Sequence, residues 1–308
     1  MRSNATRRVS GSGFGMRMWN FGAEAVGSLC GFFATGTHEP FNIKLSTMKI
    51  ASIPLLFLCF VCPVSSPAEV VRVDWEGAFD GQMGSDLRDP ERRLVIVGAR
   101  KETLSFVDKT STPPSPFAGG KTALVFDSTP DNPYWVRLCF RPFDTSEAPQ
   151  GEAEFLLQPV EGRAEVQVGH QSAPWDPQVN QTYYIENAAF DVGLTPGSEP
   201  MVAGRLGETD SVTTITAGET YRVTIKWDLT HSPPIARIFL NGEVLREKGK
   251  GDPLNPPLGT IAGSKGLNAF RVSLGGPEDH VGRLLVGPMA AFLGSIPDME
   301  QAGNLSDL

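Results

Sequence analysis

The chain has 308 residues, of which 20% are charged and 40% hydrophobic, and it carries a formal net charge of −8. This acidity and a pI of about 5.1 argue against a nucleic-acid-binding protein, which would normally present a basic face. It also weighs against acidic glycans as ligands, unless a local basic patch exists. The composition is that of an ordinary soluble globular protein without bulk disorder.

A segment typical of a secretory signal peptide lies near the N-terminus. Met48-Lys49 precedes the apolar run from Ile50 to Cys62, and Ser66-Pro67-Ala68 then supplies small residues for cleavage. The run is too short to span a bilayer comfortably. We therefore expect an exported protein, secreted or periplasmic, with a signal peptide over residues 48–68. A buried core segment is the alternative.

Residues 1–47 precede this signal and lack clear periodicity. Because a signal peptide should begin at its own initiator Met, Met48 is favoured as the true start and residues 1–47 as an over-extended gene model. A long, weakly ordered leader and a twin-arginine signal at Arg7-Arg8 are the alternatives. The remaining residues, 69–308, are interpreted as one domain.

Apolar and polar residues alternate along most of this domain, which predicts strands with one buried face. The predicted strands are Val71–Trp75, Leu94–Ala99, Thr103–Val107, Thr122–Phe126, Val136–Arg141, Ala153–Pro159, Ala164–Gly169, Tyr183–Phe190, Arg222–Asp228, Ile235–Leu240, Glu243–Arg246, Phe270–Leu274 and Leu284–Leu293. Asn241-Gly242 separates two of them and is typical of a type I′ hairpin turn. There is no convincing long amphipathic helix. The pattern predicts an all-β, two-sheet antiparallel jelly-roll sandwich.

Cys139 is the one cysteine that remains after removal of the predicted signal peptide, so no intramolecular disulfide is expected. It alternates with Leu138 and Phe140. We interpret it as a small side chain on the outer face of a sheet and not as a nucleophile.

Two stretches carry a family resemblance. Thr220–Asp228 is a strand that ends in Trp-Asp, and Ala236–Val244 is a hairpin with an Asn-Gly turn. Together they resemble the laminin-G-like domains of the concanavalin A-like lectin/glucanase superfamily. The segment Val286-Gly287-Pro288-Met289 departs from that pattern, because family members often carry an Asp in this strand. The resemblance implies a fold rather than an activity, since the superfamily includes lectins, binding modules, adhesion modules, glucanases and lyases.

Catalytic patterns of that superfamily are incomplete in this sequence. Glu208-Thr209-Asp210 lacks the second Glu of the retaining glucanases. Gln167-Val168-Gly169-His170 has one residue too many for the lyase motif, and an extra residue turns the His to the other face unless a bulge absorbs it. We therefore assign no catalytic residues. A polysaccharide-active enzyme, either a glycoside hydrolase or a lyase, remains the alternative.

The loop after residue 126 offers hard oxygen ligands for a cation. Asp127, Asp131 and Asn132 are of the type that Ca²⁺ takes, although their spacing matches no established calcium loop. An Asx/Pro turn is the alternative. No other cofactor is expected.

A carbohydrate-binding surface is predicted between residues 175 and 186. Trp175 and Tyr184 are aromatic side chains that can stack on sugar rings, and Glu186 shares the strand face of Tyr184. The alternative is that these aromatics belong to the core or cover a Pro-rich loop. We expect a non-catalytic binding or structural module whose partner is a polysaccharide or cell-surface glycan, not nucleic acid, and which is not an integral membrane protein.

Overall fold

The computed structural model describes residues 69–75, 86–89, 93–97, 103–130, 136–143, 149–173, 176, 185, 187–203, 213–256, 258, 266–274, 281–296, 298–303 and 305. Most of these residues lie in strands, because alternating side chains allow each strand to bury one face. A 3₁₀ turn lies at Ala118–Gly120. Within these ranges, no helix has the length and apolarity needed to cross a membrane.

The strands form two antiparallel sheets. Sheet A contains β1 (Glu69–Val73), β4 (Leu104–Val107), β5 (Ala123–Ser128), β7 (Gln150–Glu161), β11 (Tyr221–Asp228), β12 (Ile235–Leu240), β13 (Glu243–Val244) and β15 (Gly282–Leu293). Sheet B contains β2 (Asp86–Asp89), β3 (Leu94–Val97), β6 (Arg137–Phe140), β8 (Ala164–His170), β9 (Asn187–Leu194), β10 (Met201–Ala203) and β14 (Ala269–Leu274).

Non-consecutive strands are neighbours in both sheets. Sheet A runs β13-β12-β11-β7-β15-β5-β4, with β1 pairing to the second half of β15. Sheet B runs β10-β9-β8-β14-β6-β3-β2. This arrangement confirms the predicted two-sheet jelly-roll sandwich.

One apolar layer joins the two sheets. In it the ring of Phe270, from sheet B, lies with its centroid 5.6 Å from that of Phe155 and 6.1 Å from that of Trp227, both from sheet A. All three side chains are fully buried. Burial of side chains of this size stabilises a fold by about 1.5–3 kcal/mol each.

Most of the predicted strands are confirmed to within a few residues. Ile235–Leu240 has the predicted bounds, and the turn that follows has positive φ at Asn241 (51°) and Gly242 (89°), as a type I′ turn requires. The predicted strand Tyr183–Phe190 is confirmed in its second half, where β9 begins at Asn187, and β9 continues beyond the predicted end to Leu194. Strands β2 and β10 were not predicted, because they have only 4 and 3 residues and little alternation.

The segment that departs from the laminin-G-like pattern forms an irregularity in β15. Its register against β7 shifts between Val286 and Met289, which lets both side chains face the core although they are three positions apart. The indole Nε1 of Trp75 donates a hydrogen bond to the freed carbonyl oxygen of Gly287 at 3.0 Å. The ring of Phe117 lies where a Cβ at residue 287 would be, so glycine is needed there for space.

Gly151 on β7 provides a test of core packing. A Cβ at this position would lie 2.2 Å from the Trp227 ring and 2.7 Å from the carbonyl oxygen of Phe292. We predict that Gly151→Ala lowers the free energy of unfolding by about 3 kcal/mol, since overpacking moves a core ring and backbone together. Urea unfolding measures this loss.

The control is Gly242→Ala, where a Cβ meets nothing within 4 Å and only the positive φ is unfavourable. We expect it to cost about 1 kcal/mol. A Gly151→Ala variant that is no less stable than Gly242→Ala contradicts the described contact between β7 and Trp227.

Candidate ligand-binding face

The outer face of sheet A is occupied by other parts of this chain. Residues 108–121 cross one side of it, where Phe117 packs in an apolar cluster with Val125 and Leu285. Residues 298–303 cross the other side, where the ammonium group of Lys226 donates a hydrogen bond to the carbonyl oxygen of Asp298 at 2.8 Å. On the outer face of sheet B, the polar side chains Glu165, Gln167, Asp191 and Arg271 are part-exposed, which makes that face the better candidate for a ligand.

Two rows of side chains cross the outer face of sheet B at right angles to its strands. The first row is Asp191, Gln167, Arg271 and Cys139, and the second is Gly193, Glu165, Ser273 and Arg137, each given in the strand order β9, β8, β14, β6. Because neighbouring strands lie about 4.8 Å apart, the rows present donors and acceptors at that spacing. We call these eight residues the polar grid.

Arg163, just before β8, is fixed over the β9 side of the polar grid. Its guanidinium lies 3.0 Å from the Glu165 carboxylate and 3.9 Å from that of Asp191. A Cβ at position 193 would come within 2.7 Å of the guanidinium, so Gly193 gives the arginine room to lie against the strand. The carboxylates of the grid are thereby held in defined positions.

Burial changes the titration of two grid residues. It raises the pKa of Glu165, an effect that Arg163 opposes and Asp191 adds to. Burial also lowers the pKa of Arg271, with nearby Arg137 acting in the same direction. Partly buried charges interact more strongly than fully solvated ones, which suits them to bind polar ligand groups.

Cys139 lies on the outer face, as predicted, but it is buried there. Its strand neighbours Leu138 and Phe140 face the core, whereas Cys139 packs with Val95 and Val97 of β3. The polar grid therefore ends beside a small buried apolar cluster on the β6–β3 side.

The strand end that precedes the predicted sugar-binding residues is held by buried hydrogen bonds. A ring nitrogen of His170 lies 2.9 Å from the Gly266 carbonyl oxygen. Gln171 and Asn268 exchange two bonds, with the Gln171 N–H donating to Asn268 Oδ1 at 2.9 Å and Asn268 Nδ2 donating to the Gln171 carbonyl at 3.0 Å. Since His170 pairs with Asn187, both ends of the β8–β9 connection are anchored at this edge of sheet B.

Trp175, Tyr184 and Glu186 all belong to this connection and lie outside the described residues. Their role in sugar binding stays a prediction.

Gln167 and His170, the two residues of the lyase-like motif, do not face the same side of the sheet. The ladder between β8 and β9 contains a bulge, but the extra residue is Ala189 of β9, and β8 itself pairs regularly with β14. Gln167 therefore faces outward, and regular alternation turns His170, three positions on, to the opposite face. The Glu208-Thr209-Asp210 motif lies outside the described residues.

Asp127, the described member of the proposed calcium set, lies on β5. Its carboxylate forms an ion pair with Arg283 at 3.8 Å. Asp131 and Asn132 lie outside the described residues. No group of three or more His, Cys, Asp or Glu side chains with metal-binding geometry occurs in the described part of the chain. Calcium binding stays a prediction.

A set of buried charges on sheet A was missed by sequence reasoning. Glu152 lies 3.6 Å from the ammonium of Lys226, and Glu154 lies 3.6 Å from the guanidinium of Arg222. Burial raises the pKa of Glu152, while Lys226 lowers it. Alternation assigns these residues to the outer face, but gives no sign that the distant C-terminal segment covers them. Glu152 accepts a hydrogen bond from the Gly303 backbone, and Lys226 donates one to the Asp298 carbonyl oxygen, so this ion pair anchors that segment.

Comparison with known proteins identifies no family. No family model matches the chain, and no curated protein matches it. Among solved structures, it is similar to a family 11 carbohydrate-binding module from Clostridium thermocellum, in complex with a β-1,3-1,4-mixed-linked tetrasaccharide (TM-score 0.32, 8% identity, 74% of this chain and 98% of that one). It is also similar to lectin I-B4 from Griffonia simplicifolia in its metal-free form (0.34, 10%, 62% and 93%). A third similar structure is an endo-1,3-β-glucanase from Streptomyces sioyaensis (0.33, 13%, 57% and 77%).

The electrostatics of the polar grid predict how Glu165 titrates. We expect its pKa to lie above the ordinary glutamate value, to rise further in Arg163→Gln and to fall in Asp191→Asn, because these changes remove an opposite and a like charge, respectively. Carboxyl ¹³C NMR titration measures all three values.

The raised pKa of Glu165 determines whether its contribution to stability grows or falls with pH. The contribution of Glu165 to the free energy of unfolding is fully present below its unfolded-state pKa and is lost as the pH rises through the folded-state pKa. An unchanged or lowered Glu165 pKa in Arg163→Gln contradicts the described ion pair.

Proposed function

We propose that this chain is an exported, non-catalytic carbohydrate-binding module of the laminin-G-like type. Its binding face is the polar grid on the outer face of sheet B. The observation that supports this most is the arrangement of the grid, where Asp191, Gln167 and Arg271 align across three adjacent strands. The laminin-G-like assignment is supported by the Trp-Asp strand ending at Asp228 and by the type I′ turn at Asn241-Gly242.

Sugar chemistry suits this combination of groups. Carbohydrate hydroxyls both donate and accept hydrogen bonds, so carboxylate, amide and guanidinium groups on a rigid sheet fix their orientation. Sugar rings also expose apolar C–H faces that stack on aromatic rings. In this proposal Trp175 and Tyr184 supply the stacking from the β8–β9 connection, Glu186 adds a polar contact, and the grid supplies the hydroxyl contacts.

Binding is proposed rather than catalysis because Gln167 and His170, the pair that the sequence offered for polysaccharide lysis, point to opposite faces of β8. The carboxylates of Glu152 and Glu154 lie two positions apart on one strand, but both are buried on the covered face of sheet A.

We further propose that the chain is exported and cleaved after Ala68. The apolar run and the small residues that follow it support this cleavage site. Cleavage there leaves β1 intact, since this strand begins at Glu69 and pairs with the end of β15. N-terminal sequencing of the exported protein should read Glu69 first, and retention of residues 1–47 contradicts both the cleavage and the proposed start at Met48.

A glycan panel tests the function. We predict that the mature protein binds at least one polysaccharide and that Trp175→Ala and Tyr184→Ala each weaken this binding about tenfold, equivalent to about 1.4 kcal/mol. Glu243→Gln, an exposed change on β13 of sheet A, serves as the matched control and should bind as the wild type does.

Circular dichroism establishes that each variant keeps the β-sandwich. If wild type and both aromatic variants bind with equal affinity, the β8–β9 connection is not part of the site. If the wild type binds no glycan of the panel, the proposed function is wrong.

A further inference from the structure

Arginine side chains lie on the outer face of sheet B, although the whole chain is acidic. Arg163 precedes β8, Arg137 lies on β6 and Arg271 lies on β14. The charge of Arg163 is directed toward Glu165 and Asp191, at the β9 side. Arg137 and Arg271 lie on adjacent strands at the opposite side of the polar grid. The grid is thus divided into an acidic and a basic side.

Ser273 lies between these two sides. It is the cross-strand neighbour of Glu165 on β8 and of Arg137 on β6. Its side chain is buried, and its hydroxyl oxygen has no hydrogen-bond partner among the described residues. A buried hydroxyl that makes no hydrogen bond costs about 1–3 kcal/mol, and such groups in native proteins call for an explanation. A ligand oxygen atom bound beside Ser273 would accept a hydrogen bond from its hydroxyl and would also lie next to the neighbouring guanidinium groups.

The second observation that supports a ligand here is that two positively charged residues, Arg137 and Arg271, lie on adjacent strands of the same face. Burial lowers the pKa of Arg271 and the positive charge of Arg137 lowers it further, whereas Cys139 and the carboxylates of Glu165 and Asp191 raise it. Two guanidinium groups that disfavour each other in the free protein are both stabilised when an anion binds near them. A planar guanidinium also pairs with a carboxylate or a sulfate through two parallel hydrogen bonds.

We propose that Arg137, Arg271 and Ser273 form an anion subsite within the polar grid, and that the polysaccharide bound by this chain carries acidic groups. The arginines pair with the ligand oxyanion, and the Ser273 hydroxyl donates a hydrogen bond to it. The shared chemistry is an oxyanion on a sugar ring, which is either a uronate carboxylate or a sulfate ester. This inference rests on the proposed carbohydrate-binding function and names its ligand class.

The net charge of −8 does not oppose such a site. Charges farther away than the Debye length, about 8 Å at physiological ionic strength, are largely screened. The charges within the grid therefore decide which ligand is attracted. The side of the grid that holds Arg137 and Arg271 is the local basic patch that composition alone left open.

Calorimetric titration of the mature chain tests the inference. Three oligosaccharides of similar length are the probes: a polygalacturonate, a sulfated galactan and a neutral β-glucan. We expect one of the two acidic probes to bind at least tenfold more tightly than the neutral one, and the better acidic probe identifies the oxyanion. Raising the salt concentration from about 0.05 M to about 0.5 M should weaken this binding and leave neutral binding unchanged.

Substitutions locate the subsite. Arg137→Gln and Arg271→Gln should each weaken binding of the acidic probe about tenfold, and Ser273→Ala should weaken it severalfold. Arg237→Gln is the control, because this arginine lies on sheet A and forms an ion pair with Glu300 at 2.9 Å. Arg271→Lys keeps the charge but not the paired hydrogen bonds, so it should bind the acidic probe less tightly than wild type and more tightly than Arg271→Gln.

The outcomes separate the two claims. If the neutral probe binds as tightly as the acidic probes and the arginine variants bind like the wild type, the anion subsite is wrong while carbohydrate binding stands. If none of the probes binds and the wider glycan panel is also negative, both claims fail. Circular dichroism of each variant confirms folding, and if one arginine variant does not fold, the other decides the question.

Discussion

The structure depends on a single apolar layer shared by two sheets. Phe270 of sheet B contacts Phe155 and Trp227 of sheet A within this layer, and the core-facing residues of the other strands extend it. Each strand has only two faces. Once one face is committed to the core, most charged and polar side chains of the strand lie on the outer face, where their surroundings decide their function.

The two outer faces have different surroundings. On sheet A, residues 108–121 and 298–303 cover the strands, and the buried ion pair of Glu152 with Lys226 serves to hold the C-terminal segment. On sheet B, the charges of Arg163, Glu165 and Asp191 remain partly exposed and are ordered by one another. A buried ion pair is weak evidence for stability, because desolvation opposes the attraction of the charges. A partly exposed, ordered set of charges is better suited to recognise a ligand.

Much of the fold could be predicted from the sequence, because alternation is a local signal. It located β7, β11, β12 and β15 and assigned Cys139 to an outer face. The short strand β2, with the sequence DLRD, gives no such signal. The order of strands in each sheet depends on contacts between distant parts of the chain, which no local pattern contains.

The candidate site was less accessible to sequence reasoning. Gln167 drew attention only as part of a lyase motif, and its alignment with Asp191 and Arg271 appears only when three strands are placed side by side. Ser273 is one polar residue of an alternating strand until its position between Glu165 and Arg137 is known. Conversely, the aromatic residues Trp175 and Tyr184 were identified from their chemistry alone, and they still stand as predictions.

The central claim is that the ligand binds on the outer face of sheet B. Amide chemical-shift mapping tests it most directly, with ¹⁵N-labelled mature protein titrated with the tightest-binding oligosaccharide of the panel. The account predicts that the largest shifts occur at Glu165, Gln167 and Arg271, with little change at Thr224 and Lys226 on the outer face of sheet A. Shifts confined to sheet A, with the polar grid unaffected by saturating ligand, would contradict it.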